Sequence, residues 1–226
     1  MVETYGEILD KRRDKNKKEF YDKNPLCKDL FDIMDSFLSL LVLKIKDIQI
    51  DISDSAKTYK IKLIISFIRT HYVINNLICN GENIEAVTLI RKQLELLARY
   101  KEIETNSVDS LIGKTPNIKF VENSGRLYSV LSEIAHSSKE DTLSLLGMQE
   151  VEDKKIGFHM FPIYTEDLIT TVSNHINIFC RFSSEMLVFL KDIIPDWNGE
   201  EEMKILDTLV GVGKESDIPF FESWDE

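Results

Sequence analysis

The chain has 226 residues, a net charge of -11, 43% hydrophobic residues and 30% charged residues. Those values describe a globular protein long enough for a substantial core, in one large domain or two small ones. They exclude a broad duplex-binding surface, which needs a basic excess, and no apolar run reaches the roughly 18 residues of a membrane span.

The N-terminal MVETYGEILDKRRDK meets charges without an apolar segment, so it does not read as a signal peptide. Within residues 3–22, a polar helix, KRRDKNKK carries six bases and one acid. It is either a local nucleic-acid patch or a solvated face balanced by Glu7, Asp10, Glu19 and Asp22. KNP at 23–25 stops this helix. Residues 26–47 repeat Leu30, Ile33, Met34, Phe37, Leu38 and Leu41 at amphipathic spacing. Asp51, Ser53 and Asp54 are N-cap candidates for a long helix ending near Cys79, where Asn80–Gly81 breaks it. Further helices are expected over 83–104 and 121–136, and a short one in KEDTLSLLG. KKIGFHMFPIY is β-prone and aromatic and reads as an extended loop or small hairpin. A last long helix starts at an expected Thr165 N-cap and ends before Pro195, with a short helix over 199–211. The fold class is all-α: an antiparallel helical bundle with one short aromatic extended loop or hairpin.

Cys27, Cys79 and Cys180 are odd in number, far apart and without C-x-x-C spacing. They read as free thiols of a cytoplasmic protein. No phosphate loop, H-E-x-x-H or G-x-S-x-G occurs, no second Glu-x-x-His joins the one at Glu133 and His136, and GVGKES lacks the full phosphate-loop spacing. No cofactor and no metal site is expected. His71 and His175 read as structural, and His159 as loop packing or a groove lining.

Two helices carry the candidate site. At 100° per residue, Ala86, Leu89, Ile90, Leu94, Leu96, Leu97 and Tyr100 form an apolar arc. Thr88, Arg91, Glu95, Arg99 and Glu102 share the other side, and Arg91 can pair with Glu95 four residues on. In ENSGRLYSVLSEIAH, Leu127, Val130, Leu131, Ile134 and Ala135 form the apolar arc. Gly125, Ser129, Ser132 and His136 form a narrow stripe of small and polar side chains, open to a second helix or a ligand. His136 closes that stripe, and Ser137 and Ser138 are positioned to turn the chain and cap the next segment.

An imidazole can take a proton, and an arginine can hold a phosphate and stabilise negative charge. That set suffices for metal-independent RNA cleavage by attack of a 2′-hydroxyl on the adjacent phosphate. The structural alternative for the same residues is an exposed helix pair and a histidine bonded to a helix-end carbonyl.

R-x-x-x-E at Arg91 and Glu95, S-x-x-x-H-S at Ser132, His136 and Ser137, the aromatic-proline loop and the long last helix resemble a group of bacterial helical proteins. These in turn resemble the HEPN superfamily, over about 57–194. The resemblance implies a helical bundle, commonly a homodimer, with metal-independent ribonuclease activity or RNA binding in a phage-defence or toxin–antitoxin setting. It implies catalytic roles for Arg91 and His136, supported by Glu95 and Ser132. The family's arginine-then-histidine signature on one helix is absent: Arg126 stands too far before His136, and Arg69 and His71 too close together.

The expected organisation is 1–50 as N-terminal helices, packed on the bundle or exchanged with a partner, 51–196 as the HEPN-like core, and 197–226 as a short helix and tail. The tail ESDIPFFESWDE sets Ile218, Phe220, Phe221 and Trp224 among acids and suits docking on its own fold or on a protein partner. The alternative function is therefore a non-catalytic protein-protein interaction module that uses the acidic surface or this tail. Convergence of Arg91, Arg99, Arg126 and His136 in one positive cleft would favour the enzyme. Neutralisation by Glu95, Glu102 and Glu133 would favour the module.

Overall fold

The computed structural model describes residues 2–136, 145–146, 149–152, 155–157, 159–216 and 218, the strand residues by their backbone alone. Helices dominate: α1 Tyr5–Lys23, α2 Pro25–Ile45, α3 Ser55–Cys79, α4 Asn83–Glu102, α5 Val108–Leu111, α6 Gly125–Ala135, α7 Leu168–Ile193 and α8 Glu200–Glu215. The expected all-α class is what the structure shows. No helix among the described residues is long and apolar enough to cross a membrane.

Local chemistry explains the helix boundaries. Thr4 and Glu7 cap α1 reciprocally, side chain to backbone in both directions. Asn24 alone separates α1 from α2, and Pro25 opens α2, where its missing N–H costs nothing. Of the three N-cap candidates before α3, Asp54 takes the role and accepts from the Lys57 N–H at 3.0 Å. Gly81 follows α3 with φ +80°, and a Cβ there would stand 2.6 Å from the Ile163 carbonyl oxygen. Only glycine lets the 159–164 loop pass against the α3–α4 turn. Asn16 clamps the same junction from α1, donating to the carbonyls of Asn80 and Pro162, each at 2.8 Å.

A single core runs from Phe20 to Ile218. α7 is its most buried element, with Ile176, Phe179, Phe182, Met186 and Leu190 sealed from solvent. Phe67 of α3 stacks on Phe182, ring centroids 4.2 Å apart. α4 lies against α3, α6 and α7, so its outward strip sits between α3 and α6. α2 packs chiefly on α8, which joins the first helices to the last.

Some expectations change. Thr165 does not cap α7: the helix starts at Leu168 after Asp167, and only the Thr165 carbonyl meets the Leu168 N–H. α6 starts at Gly125 and not at Val121, because 118–120 form a separate 3-10 turn held by Asn117. α8 extends through GVGKE to Glu215, which places that glycine pair inside a helix. The hairpin pairs Gln149–Glu152 (β1) with Lys155–Gly157 (β2). It thus takes only the start of the predicted aromatic stretch. The rest, 159–164, is irregular and lies on α1, where Phe161 stacks on Tyr5 at 5.1 Å. The short helix expected in KEDTLSLLG and the cap at Ser137 and Ser138 fall mostly outside the described residues, as does the tail beyond Ile218. Ile218 itself is buried.

Candidate functional site

α4 and α6 pack side by side and bring Arg91, Glu95, Tyr128 and His136 to one seam. Arg91 Nη1 is 2.7 Å from His136 Nε2. A guanidinium can only donate, so Nε2 accepts and the ring proton of the neutral imidazole sits on Nδ1. Arg91 Nη2 donates to the Tyr128 hydroxyl at 3.1 Å and pairs with Glu95 Oε1 at 3.2 Å. The Tyr128 hydroxyl donates in turn to Glu95 Oε1 at 3.0 Å. The guanidinium carbon lies 5.2 Å from the centre of the Tyr128 ring. Burial alone would lower the Arg91 pKa. The Tyr128 bond and the Glu95 charge outweigh that and raise it, so the site keeps a fixed cation.

The cluster is open on one side. His136 is exposed at the C-terminal end of α6, and the Arg91 and Glu95 side chains keep 21% and 25% of their surface in solvent. The inner side is sealed. Ser132 Oγ and Arg91 Nε are buried there and have no hydrogen-bond partner among the described residues.

Three of the four residues singled out by sequence thus meet at the seam: Arg91, His136 and Glu95 are bonded together or through Tyr128. Ser132, one turn before His136 on α6, bonds to none of them. Tyr128 was assigned to neither arc of α6. Its signal is its spacing: it stands four residues before Ser132 and eight before His136, on the same face. Gly125 and Ser129 do not line the seam. Both are exposed, and a Cβ on Gly125 would meet nothing within 4 Å.

The gathering of Arg91, Arg99, Arg126 and His136 that would favour the enzyme does not form. Arg99 is buried, 3.1 Å from Glu102, and also donates to the Lys114 carbonyl. It braces the 114–117 loop, where Glu102 accepts the Asn117 N–H at 3.0 Å. Arg126 is exposed on another face of α6. The positive charge of the seam is Arg91 alone, and Glu95 offsets it.

A second histidine cluster lies in the core. His71 Nε2 on α3 is 3.0 Å from Asp35 Oδ1 of α2 and 3.1 Å from Asn75 Nδ2. His71 Nδ1 is 3.1 Å from His175 Nε2 of α7, and the two rings stack at 5.0 Å. Burial, helped by His71, holds the His175 pKa well below its ordinary value. His175 Nδ1 has no partner among the described residues. No group of three or more His, Cys, Asp or Glu among those residues could hold a metal ion.

The remaining candidates have structural settings. All three cysteines are buried and unpaired, and burial pushes Cys27 and Cys180 up to about 12, away from reactivity. His159 is exposed beside Phe161. In the basic stretch of α1, Arg13 pairs with Glu82 at 2.6 Å and Lys11 with Glu3. No family model matches the chain, and no curated protein or solved structure matches it.

Proposed function

We propose that the chain is a HEPN-like RNA-directed protein that cleaves or binds RNA without a metal, at the α4–α6 seam. The observation that carries this reading is the 2.7 Å approach of Arg91 Nη1 to His136 Nε2 at an open helix end. The residues come from different helices, so the pair replaces a signature normally found on one. When a phosphodiester enters, Arg91 turns its Nη1 donor from the imidazole to a phosphate oxygen. That frees His136 Nε2 to take the proton of the neighbouring 2′-hydroxyl. The 2′-oxygen bonds to phosphorus, the bond to the 5′-oxygen breaks, and solvent protonates the departing oxygen. The products are a 2′,3′-cyclic phosphate and a 5′-hydroxyl. Arg91 carries the developing charge, and Glu95 and Tyr128 hold its plane. The setting that fits is cytoplasmic phage defence or a toxin–antitoxin pair, with the protein acting as a homodimer.

The test is cleavage of a mixed RNA pool in EDTA, beside Arg91→Ala and His136→Ala variants shown folded by circular dichroism. Cyclic-phosphate ends from the parent and none from either variant support the reading. Cleavage indifferent to both changes removes it. A second reading, a non-catalytic protein-protein interaction module, is favoured by one observation: Glu95 and Tyr128 already hold Arg91 Nη2, and Arg99 is committed to Glu102. In that case the parent leaves RNA intact and captures a protein partner through the acidic surface or tail.

A further inference from the structure

Beside the seam, on the other flank of α4, a groove of about 460 Å³ runs between α3 and α4. Lys62, Arg69 and Lys92 line it with Ile65, Ser66 and Thr70, and no carboxylate does. The three cations are exposed, and none has an ion pair among the described residues. Other exposed cations, such as Lys28, Lys119 and Arg126, also stand without an ion pair among the described residues; what sets these three apart is that they line one groove together with no carboxylate in its lining. The groove wall is fixed: Gln93 of α4 donates to Thr70 Oγ1 at 3.2 Å and to the Phe67 carbonyl at 3.4 Å, which locks α3 to α4. Tyr72 continues the same face of α3 one turn beyond Arg69 and is 65% exposed. Lys92 adjoins Arg91 in sequence and stands about 100° around α4 from it, on the flank that faces α3.

We infer that this groove binds the backbone of single-stranded RNA and leads it toward the Arg91–His136 seam; the direction of travel rests on the function proposed above, the groove itself does not. Lys62 and Arg69 are about 10 Å apart along the helix axis, room for more than one phosphate. Lysine and arginine supply phosphate contacts that ignore sequence. An exposed tyrosine at the end of a cation row offers a face for an unstacked base, the usual platform of single-strand binders. A duplex demands a wider basic surface than one row beside an acidic body, and an acidic peptide has no use for the tyrosine.

The experiment is fluorescence anisotropy of a labelled 2′-O-methyl oligouridylate, which cannot be cleaved, with the full chain across a salt series. The Lys62→Gln/Arg69→Gln/Lys92→Gln variant should bind at least ~30-fold more weakly. Its slope of log affinity against log salt should fall by about 2, the counterions of three phosphates. Tyr72→Ala should lose roughly tenfold in affinity and keep the parent's salt slope. No binding by the parent, or triple-variant affinity within about twofold of the parent, overturns the groove. So does oligoglutamate bound as tightly as RNA and released by the same substitutions. The two readings separate cleanly. RNA cleavage with unchanged binding in the triple variant overturns the groove alone. Lost binding in that variant, with no cleavage by the parent, overturns the cleavage reading alone.

Discussion

The molecule holds two histidine clusters of similar parts and opposite situation. His71 and His175 join α2, α3 and α7 in the core, with Asp35 at the rim. His136 joins α4 and α6 through Arg91, with Tyr128 and Glu95 behind it. Each links imidazole to a charged neighbour at close hydrogen-bond distance. They differ in burial and in the sign of that neighbour. In the core the partner is a carboxylate and the inner ring is sealed from water, so a proton there is costly and the cluster serves packing. At the seam the partner is a cation and the ring faces solvent, so a ligand can replace the arginine at Nε2. A histidine becomes a candidate for chemistry here through access and an exchangeable partner.

The largest expected effect would break the comparison at the seam. Arg91→Lys should lower RNA cleavage by ~10² or more, and shift the melting temperature little. One ammonium cannot reach His136, Tyr128 and Glu95 together, whereas the guanidinium fork does. Retained cleavage in this variant would show that the fork is unnecessary.

The core cluster should answer in the opposite currency. His71→Ala removes a side chain that is 1% exposed and strips His175 Nε2 and Asp35 of a partner. A loss of about 2–4 kcal/mol in chemical denaturation is expected, with cleavage per folded molecule unchanged. A neutral outcome would mean that the core repacks around the gap.

Acid should separate the two clusters next. Unfolded His175 takes up a proton below its ordinary pKa of 6.5, while the folded residue, held well below that value, does not. The unfolded state then binds more protons. Stability from this group is complete above pH about 6.5 and declines as the pH falls, by at most about 1.4 kcal/mol per unit. His175→Leu should flatten that slope between pH 6.5 and 5 in urea melts followed by circular dichroism. An unchanged slope would place the acid sensitivity elsewhere.

The smallest effect sharpens the seam. Tyr128→Phe deletes the hydroxyl that bridges Arg91 and Glu95, and about 1 kcal/mol should appear as a several-fold loss of cleavage. A loss as deep as that of Arg91→Lys would promote Tyr128 from positioning the arginine to handling a proton.

Local signals in the chain marked the long helices, though not the cap of α7, the start of α6 or the end of α8. Asp54, Pro25 and Gly81 mark boundaries through caps, a fixed φ and a left-handed turn, each a property of one or two residues. Apolar spacing likewise announced the buried faces of α2 and α4. Arg91 and Glu95 were legible as a pair because they are four residues apart on one helix. The stripe ending at His136 was drawn with the wrong members, Gly125 and Ser129, because periodicity ranks faces without saying which neighbour covers them. Only packing against α4 showed that Tyr128 faces inward, and only the loop at Lys114 showed that Arg99 is buried with its Glu102 partner.

What the sequence by itself determined is the class of fold, the order of the helices and the residues worth watching, because capping and periodicity act over a few positions. Which of those residues meet was decided by tertiary structure. His136 reaches Arg91 across 45 residues of chain, and His71 reaches His175 across 104. Such contacts arise when helices bury their apolar faces together, and no local pattern encodes which polar edges that burial leaves side by side.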